Sequence, residues 1–262
     1  MLTLLFTEIV YRPVFNMLII FLAIFGGNLG IAIVLVTIIV RLLMIKQTSA
    51  GNDMQKGMGD LQPKLTELQE KYKDDPKKLS AETMKLFKTH GAWPLKGCLM
   101  MLIQIPVFIW LYQVIIHISG GNIPEGRLYS FFNGIGGQFL DLKNIHTSFL
   151  WMDMLSKNNI ILTILAAVFT FLQMKLTTLA KPATPAIPGT NAPDMGKMMG
   201  FMNIFMVFMI GSVVYSMQAG VGLYIVTTTL FSVVQYSIQY KALLKVKFNE
   251  WRSKGQNVVI EK

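Results

Sequence analysis

The chain of 262 residues lacks most of what enzymes use for chemistry. Its only cysteine is Cys98, so a disulfide framework and a thiolate metal cluster are both excluded. No phosphate-binding loop, dinucleotide fingerprint or serine elbow is present. The three histidines, His90, His117 and His146, show no metal-ligand spacing. We therefore expect a protein that is not an enzyme and needs no cofactor.

Charged residues are also scarce, at 15% of the chain against 53% hydrophobic residues. This composition is typical of membrane proteins rather than soluble domains. All 14 Asp and Glu residues lie outside the long apolar runs. Proton-coupled pumps and secondary transporters usually need a titratable carboxylate or histidine at membrane depth, so that class is disfavoured. No basic segment with a small-residue cleavage site precedes the first apolar stretch, and we expect no cleaved signal peptide.

Apolar runs near twenty residues dominate what is present. They predict an all-α polytopic membrane protein with five transmembrane helices, at residues 29–45, 95–118, 159–179, 199–217 and 219–240. Residues 1–28 hold a tail and a shorter apolar stretch, Pro13 to Phe25. At that length an interfacial, peripheral helix is favoured, and a re-entrant membrane hairpin is the alternative.

The connecting segments differ in charge, and that difference predicts the topology. Nineteen Lys and Arg residues lie in or beside a hairpin region at 46–94, a proline-rich loop at 180–198 and a basic tail at 241–262. Only four accompany the N-terminus and the loop at 119–158, where Phe149-Leu150-Trp151 indicates an interfacial anchor. Because cytoplasmic loops are enriched in Lys and Arg, the N-terminus is predicted outside and the C-terminus in the cytoplasm.

Residues 46–94 change from apolar to strongly basic. An apolar face recurs at helical spacing, at Leu61, Leu65, Leu68 and Tyr72. Asp75 then suits the N-cap of a second helix, with Pro76 at its first position. The pattern predicts a cytoplasmic helical hairpin. Its basic residues are candidates for recruiting partners, although a solvated charged connector is the simpler interpretation; they include Lys64, Lys71, Lys73, Lys77 and Lys78.

One arginine, Arg41, interrupts the first apolar run. At ~1.5 Å of rise per residue it lies roughly 18 Å from Leu29, inside a hydrocarbon core ~30 Å thick. A guanidinium there costs on the order of 2.5–3.5 kcal/mol on insertion scales, and it stays protonated. It either snorkels to the interface or belongs to an inward polar stripe, which Thr37 on the same face favours.

Most of the other polar groups within the apolar runs are uncharged. Singly, each is expected to hold helices together through an interhelical hydrogen bond. Together with Arg41 they could instead line a hydrated concavity. They include Thr37, Gln104, Gln173, Asn203, Gln235 and Gln239.

Several ordered motifs resemble the YidC/Oxa/Alb membrane protein insertase family. They are IIVRLLMIKQTS after GGNLG, then LQPKLTELQEKY, PLKGCLMMLIQIPVFIWLY, FLWMDMLSK and GLYIVTTTLFSVVQ. The resemblance covers about Pro13 to Leu244. The chain departs from it at Trp93, where the family often has asparagine, and at Ile225, where it often has a second aromatic residue. We expect no counterpart of the large extracytoplasmic domain of Gram-negative members.

The resemblance implies five spans around a hydrophilic groove that is open to the cytoplasm and to lipid. It also implies a cytoplasmic helical hairpin and a peripheral outer helix. The residues expected at the groove are Arg41, Thr37, Gln104, Gln173, Tyr224 and Gln235.

The function expected from the resemblance is insertion of nascent membrane proteins into the bacterial inner membrane. The expected partners are nascent membrane proteins, the ribosome, the signal recognition particle pathway, the Sec translocon and anionic lipids, with no direct recognition of nucleic acid. An anion-selective channel or transporter, with Arg41 as the selecting cation, is the alternative.

Overall fold

The structure is a computed structural model that describes residues 8, 11–46, 48–49, 61–73, 75–89, 108–118, 128–132, 134, 137–179, 195–242, 244–246 and 249. This part of the chain is mostly helical. The helices are α1 (Arg12–Ile24), α2 (Leu29–Leu43), α3 (Gln62–Lys71), α4 (Pro76–Thr89), α5 (Phe108–Ile118), α6 (Ile160–Leu179), α7 (Met195–Ser216) and α8 (Ala219–Gln239). A two-residue antiparallel pair, β1 (Ser148–Phe149) and β2 (Met152–Asp153), lies between α5 and α6.

Two described helices are long and apolar enough to cross a membrane, Ile160–Thr178 in α6 and Ala219–Gln239 in α8. Shorter apolar helices occupy Arg12–Ile24, Leu29–Leu43, Phe108–Ile118 and Asn203–Ser216. The mostly helical, membrane-type fold agrees with the sequence. The number of five spans stays a prediction, and residues 95–107 of the second predicted span lie outside the described residues.

Side-chain caps explain where several helices begin. The Asn28 side chain accepts the Ile31 amide at the start of α2, at 3.0 Å, and Asn159 accepts the Leu162 amide at the start of α6, at 3.0 Å. At α4 the Lys78 amide donates to the Asp75 carboxylate at 3.1 Å, so the cap predicted from the sequence is present. Each cap satisfies an amide that the helix itself leaves without a partner.

The core forms where α2, α5 and α8 meet, with α1 packed across them. α1 packs against α2, and its Phe15 stacks on Tyr11, whose ring lies edge-on to Trp110 of α5 at 6.1 Å. The Tyr129 amide donates to the buried side chain of Asn16 at 2.8 Å. The first apolar stretch is therefore a helix docked on the bundle.

Residues 137–158 cover the end of the bundle at which α2, α6 and α8 begin, which we call the capped end. The cap is joined to the helices by backbone hydrogen bonds, Leu29 to His146 at 3.0 Å, Gly220 to Met154 at 2.8 Å and Ala219 to Ser156 at 2.7 Å. Because these bonds use the first amides of α2 and α8, they satisfy helix ends that would otherwise need water. The three helices therefore start from one layer.

Candidate functional site

Arg41 lies in the last turn of α2 and is partly buried. Its guanidinium is near the phenol groups of Tyr224 and Tyr236 on α8, close enough for electrostatic interaction. Within the described residues, no carboxylate is seen to pair with it; the ion pairs there include Arg12 with Glu8, Lys78 with Asp75 and Lys85 with Glu82. A cation near phenol groups, with no carboxylate paired with it among the described residues, can attract an anionic group from outside.

A polar stripe follows one side of α8 at a spacing of four residues. Its members are all buried, and they are Tyr224, Thr228, Ser232, Tyr236 and Tyr240. Sequence reasoning selected only Tyr224, on the resemblance. The four-residue spacing of hydroxyl groups in an otherwise apolar helix is the signal that could have found the others. The stripe supplies both phenols near Arg41.

Polar side chains on α2 and α8 divide into those with a hydrogen-bond partner and those without one. Thr37 donates to the Ile33 carbonyl at 2.6 Å and Ser232 to the Thr228 carbonyl at 3.0 Å, each within its own helix. By contrast, the buried Thr228 Oγ1 and Gln235 Nε2 have no hydrogen-bond partner in the described structure. Buried polar atoms are normally paired, so these two are exceptions that make this part of α8 a candidate for a polar site.

α6 adds polar atoms at a similar depth. Thr170 Oγ1 is buried and has no partner among the described atoms, and Gln173 one turn later is half-buried. Counting ~1.5 Å per residue from the capped end, Thr170 lies at roughly 15 Å and Gln173 at roughly 20 Å, against roughly 18 Å for Arg41. By the same count Thr228 lies at roughly 14 Å and Gln235 at roughly 24 Å. These five residues form what we call the polar band.

Three other residues were predicted at the groove, and they lie outside the polar band or outside the described residues. Thr37 is 3% exposed and bonded to its own helix, so its hydroxyl proton is already used. Tyr224 is buried beside the Phe108 ring of α5, with ring centroids 6.4 Å apart. Gln104 lies outside the described residues.

The predicted hairpin lysines lie on α3, on α4 and between them, and those two helices pack against each other. Lys73 and Lys77 are exposed. Lys71 lies over the Tyr72 ring at 5.5 Å, and Lys78 pairs with Asp75 at 3.4 Å. Lys64 is also exposed and makes an interaction of its own. The hairpin therefore presents a basic, solvated surface.

An apolar groove lies on the surface between the packed helices α6 and α7. It is an open groove of about 620 Å³, and the residues lining it include Thr163, Ala167, Phe171, Ile204, Phe208 and Gly211. The outward faces of both helices are also apolar, with Ile164, Phe201 and Phe205 exposed. Such faces suit contact with lipid or with another apolar helix.

Sequence similarity to known proteins extends over nearly the whole chain. The sequence profile described as "60Kd inner membrane protein" matches residues 20–246. This chain belongs to the 60Kd inner membrane protein family. It is 35% identical over 228 residues to a "Membrane protein insertase YidC" of Oceanobacillus iheyensis, covering 86% of this chain and 79% of that protein. A protein of the same name from Fusobacterium nucleatum is 31% identical over 210 residues, 80% of this chain and 84% of that protein.

A solved structure shows the same fold. It is titled "Active YidC insertase crystal structure with the first transmembrane domain resolved", and it aligns with a TM-score of 0.54 and 25% identity over 90% of this chain. The match covers 46% of that longer chain. The resemblance inferred from the sequence motifs is thus confirmed, and the family is one of inner membrane proteins.

Proposed function

We propose that this protein is a membrane protein insertase that receives nascent transmembrane segments and releases them into the lipid bilayer. The observation that supports this most is Arg41, which lies beside Tyr224 and Tyr236 without a carboxylate partner in the described structure. The function is not enzymatic, because insertion moves a polypeptide between environments without breaking a covalent bond. Membership of a family whose compared relatives are named insertases supports the same proposal.

In the proposed topology five helices span the membrane, with the N-terminus and the capped end outside and the C-terminus in the cytoplasm. The excess of Lys and Arg in residues 46–94, 180–198 and 241–262 supports this orientation. α2 then runs inward from the outer surface and carries Arg41 into the inner half of the bilayer. The polar band borders a hydrophilic groove that opens to the cytoplasm and ends below the cap.

The groove lowers the free energy of moving a polar tail through the membrane. An unpaired charge in hydrocarbon costs several kcal/mol. A carboxylate ~4 Å from Arg41 would gain about 4 kcal/mol of Coulomb energy at an effective dielectric constant of ~20, partly offset by the hydration that both groups lose. Thr170, Thr228 and Gln235 add hydrogen-bonding atoms along the same path. Binding stays weak enough for release because the cation keeps part of its exposure.

The apolar part of the substrate takes a different route. The open groove between α6 and α7 and the exposed side chains around it present an apolar surface to the bilayer. A hydrophobic helix leaving the polar band loses little by moving along such a surface into lipid, because lipid tails and leucine-rich faces are equally apolar. Substrate release is therefore driven by hydrophobic transfer into lipid.

The basic hairpin formed by α3 and α4 recruits partners on the cytoplasmic side. Its exposed lysines suit anionic lipid headgroups. They also suit the acidic surfaces of the ribosome, the signal recognition particle pathway or the Sec translocon. This surface increases the local concentration of substrate near the groove without contacting Arg41.

The test is an insertion assay in reconstituted vesicles with single-span substrates whose translocated tails are acidic, neutral or basic. Arg41→Ala should reduce insertion of the acidic-tail substrate about tenfold, which corresponds to ~1.4 kcal/mol, and should change the neutral one little. Arg41→Lys should restore most of the loss. Lys175→Ala is the matched control, because it removes an exposed cation that lies over Phe171 on α6. An equal effect on all three tails, or none, contradicts the proposal.

The same uncompensated cation is the one observation that favours the alternative, an anion-selective channel or transporter. That function predicts anion-selective conductance or flux in vesicles without any substrate protein, lost in Arg41→Ala. The insertase predicts no selective conductance under those conditions. Measuring both in one vesicle preparation separates the two.

A further inference from the structure

The turn between β1 and β2 presents two large apolar side chains away from the protein. Leu150 is 70% and Trp151 68% exposed, whereas Phe149 and Met152, which directly flank them, point inward. Phe149 packs against the core, and Met152 and Met154 are buried. A single exposed apolar residue needs no explanation. Two adjacent ones at a projecting tip, between buried neighbours, indicate a partner.

The backbone conformation of the tip also indicates a functional role. Phe149 pairs with Met152, so Leu150 and Trp151 are the two central residues of a tight hairpin turn. Leu150 has φ +55°, while Trp151 has an ordinary negative φ. A positive φ at the first central residue alone is the pattern of a type II′ turn, where glycine is the usual residue. A leucine in that position is strained, and strained positions are associated with function.

The hairpin is rigidly attached to the start of α2. A Cβ on Gly30 would overlap the ring of Phe149, so the ring lies directly on the helix backbone. The Asn28 side chain also donates to the Ser148 carbonyl at 3.4 Å. The base of the hairpin is therefore packed on, and hydrogen-bonded to, the start of α2. Arg41 follows Gly30 by a length of helix that is roughly 16 Å long.

We propose that Leu150 and Trp151 insert into the headgroup region of the outer leaflet and thereby set the depth of Arg41 in the membrane. Tryptophan is enriched at membrane interfaces because its ring is apolar and its N–H is polar. The leucine beside it adds apolar area that the acyl boundary accepts. Phe149, the third residue of the anchor predicted from the sequence, serves instead to join the tip to α2. The inference depends on the proposed function only for the orientation it assumes.

Spin labels test the position of the tip. In a Cys98→Ser background, single cysteines replace Leu150 or Trp151 at the tip and His146 or Ser148 at its base, where both native residues are exposed. Each variant is labelled with a nitroxide and reconstituted into phosphatidylethanolamine–phosphatidylglycerol vesicles. Collision rates with oxygen and with a water-soluble nickel complex then report depth.

The tip labels should show an oxygen-to-nickel ratio several-fold higher than the base labels. An equal or lower ratio at the tip would overturn the inference. Exclusion of the tip labels from both oxygen and nickel would also overturn it, because that result means burial against another protein. Insertion activity does not enter this measurement, so its outcome is independent of the proposed function.

A second measurement tests the depth of α2. A nitroxide at Leu43, which is exposed at the far end of α2, is compared with and without the double change Leu150→Asn and Trp151→Ser. Asparagine tolerates the positive φ, so the hairpin should fold, and the thermal melt in detergent should confirm this.

Without its anchor the bundle should shift outward, and the Leu43 label should enter the hydrocarbon, with a higher oxygen-to-nickel ratio. Ser148→Asn is the matched control at the base and should leave the ratio unchanged. A ratio that does not change in the double variant would show that the tip does not set the depth of α2.

Discussion

The capped end and the polar band show opposite uses of buried polar groups. At the capped end, the first amides of α2 and α8 donate to carbonyls of His146, Met154 and Ser156, and glycines allow contact at van der Waals limits. In the polar band, roughly 14–24 Å further along the helices, Thr170, Thr228 and Gln235 have buried atoms without a partner in the described structure. The first region satisfies its polar groups, whereas the second leaves some of them without a partner among the described residues, as the proposed binding role requires.

The two regions also differ in how closely their atoms pack. Gly220 packs with its α-carbon against Ile33, Ile115 and the Met154 carbonyl, where an added Cβ would lie 3.0–3.3 Å from their atoms. Close packing of that kind leaves no room for water beside Gly220. Unsatisfied hydroxyls and one unneutralised cation reduce stability, and proteins retain such groups mainly where they serve binding.

The largest expected effect on stability is at the capped end. Gly30→Ala places a methyl group in the ring of Phe149 and should reduce the free energy of unfolding by about 3 kcal/mol, since overpacking in a filled core is costly. Thermal unfolding in detergent measures this. Gly134→Ala, where a Cβ would have no neighbour within 4 Å, should have little effect. Equal melting temperatures for the two variants would show that the cap adapts easily.

Arg41→Leu should change the free energy of unfolding in the opposite direction. Removing a partly buried cation that has no carboxylate partner among the described residues should raise the free energy of unfolding by about 1 kcal/mol. Insertion of acidic-tail substrates should still fall about tenfold. A melting curve and the insertion assay, run on one preparation, check both. A variant that loses stability and activity together would place Arg41 among the structural residues.

Two threonines on α8 offer a matched pair with a smaller effect. Thr228→Val removes a buried hydroxyl that has no partner in the described structure and should stabilise by about 0.5–1 kcal/mol. Thr229→Val removes a hydroxyl that donates to the Ile225 carbonyl at 2.8 Å and should destabilise by about 0.5 kcal/mol. Thermal melts in detergent distinguish them. Destabilisation by both changes would show that the Thr228 hydroxyl has a hydrogen-bond partner in the folded protein.

The smallest effect on stability is expected at the hairpin of α3 and α4. Changing Lys64, Lys71, Lys73, Lys77 and Lys78 together to Gln should alter the free energy of unfolding by less than about 0.5 kcal/mol per site, because exposed charges contribute little. Insertion should slow only in vesicles that contain anionic lipid. Vesicles of neutral lipid are the control, and the same slowing there would exclude headgroup recruitment.

Local signals in the sequence predicted much of this protein. The Asp75 cap of α4 was predicted, because Asp is favoured at the N-cap and proline at the first position of a helix. The family was predicted from ordered motifs. The partners of Arg41 were predicted only in part, since Tyr236 has no local feature that separates it from the other aromatic residues. The strained Leu150 was not predicted, because a positive φ is not encoded by leucine.

By itself the sequence determined the apolar runs, the isolated cation within one of them and the charge difference between the connecting segments. These depend on composition and on spacing along a single helix. Only the tertiary structure decided that α8 supplies the phenols beside Arg41, and that a two-residue turn carries Leu150 and Trp151 outward. Residues nearly two hundred positions apart meet because the cap joins the starts of α2, α6 and α8, and contacts of that range depend on packing rather than on local pattern.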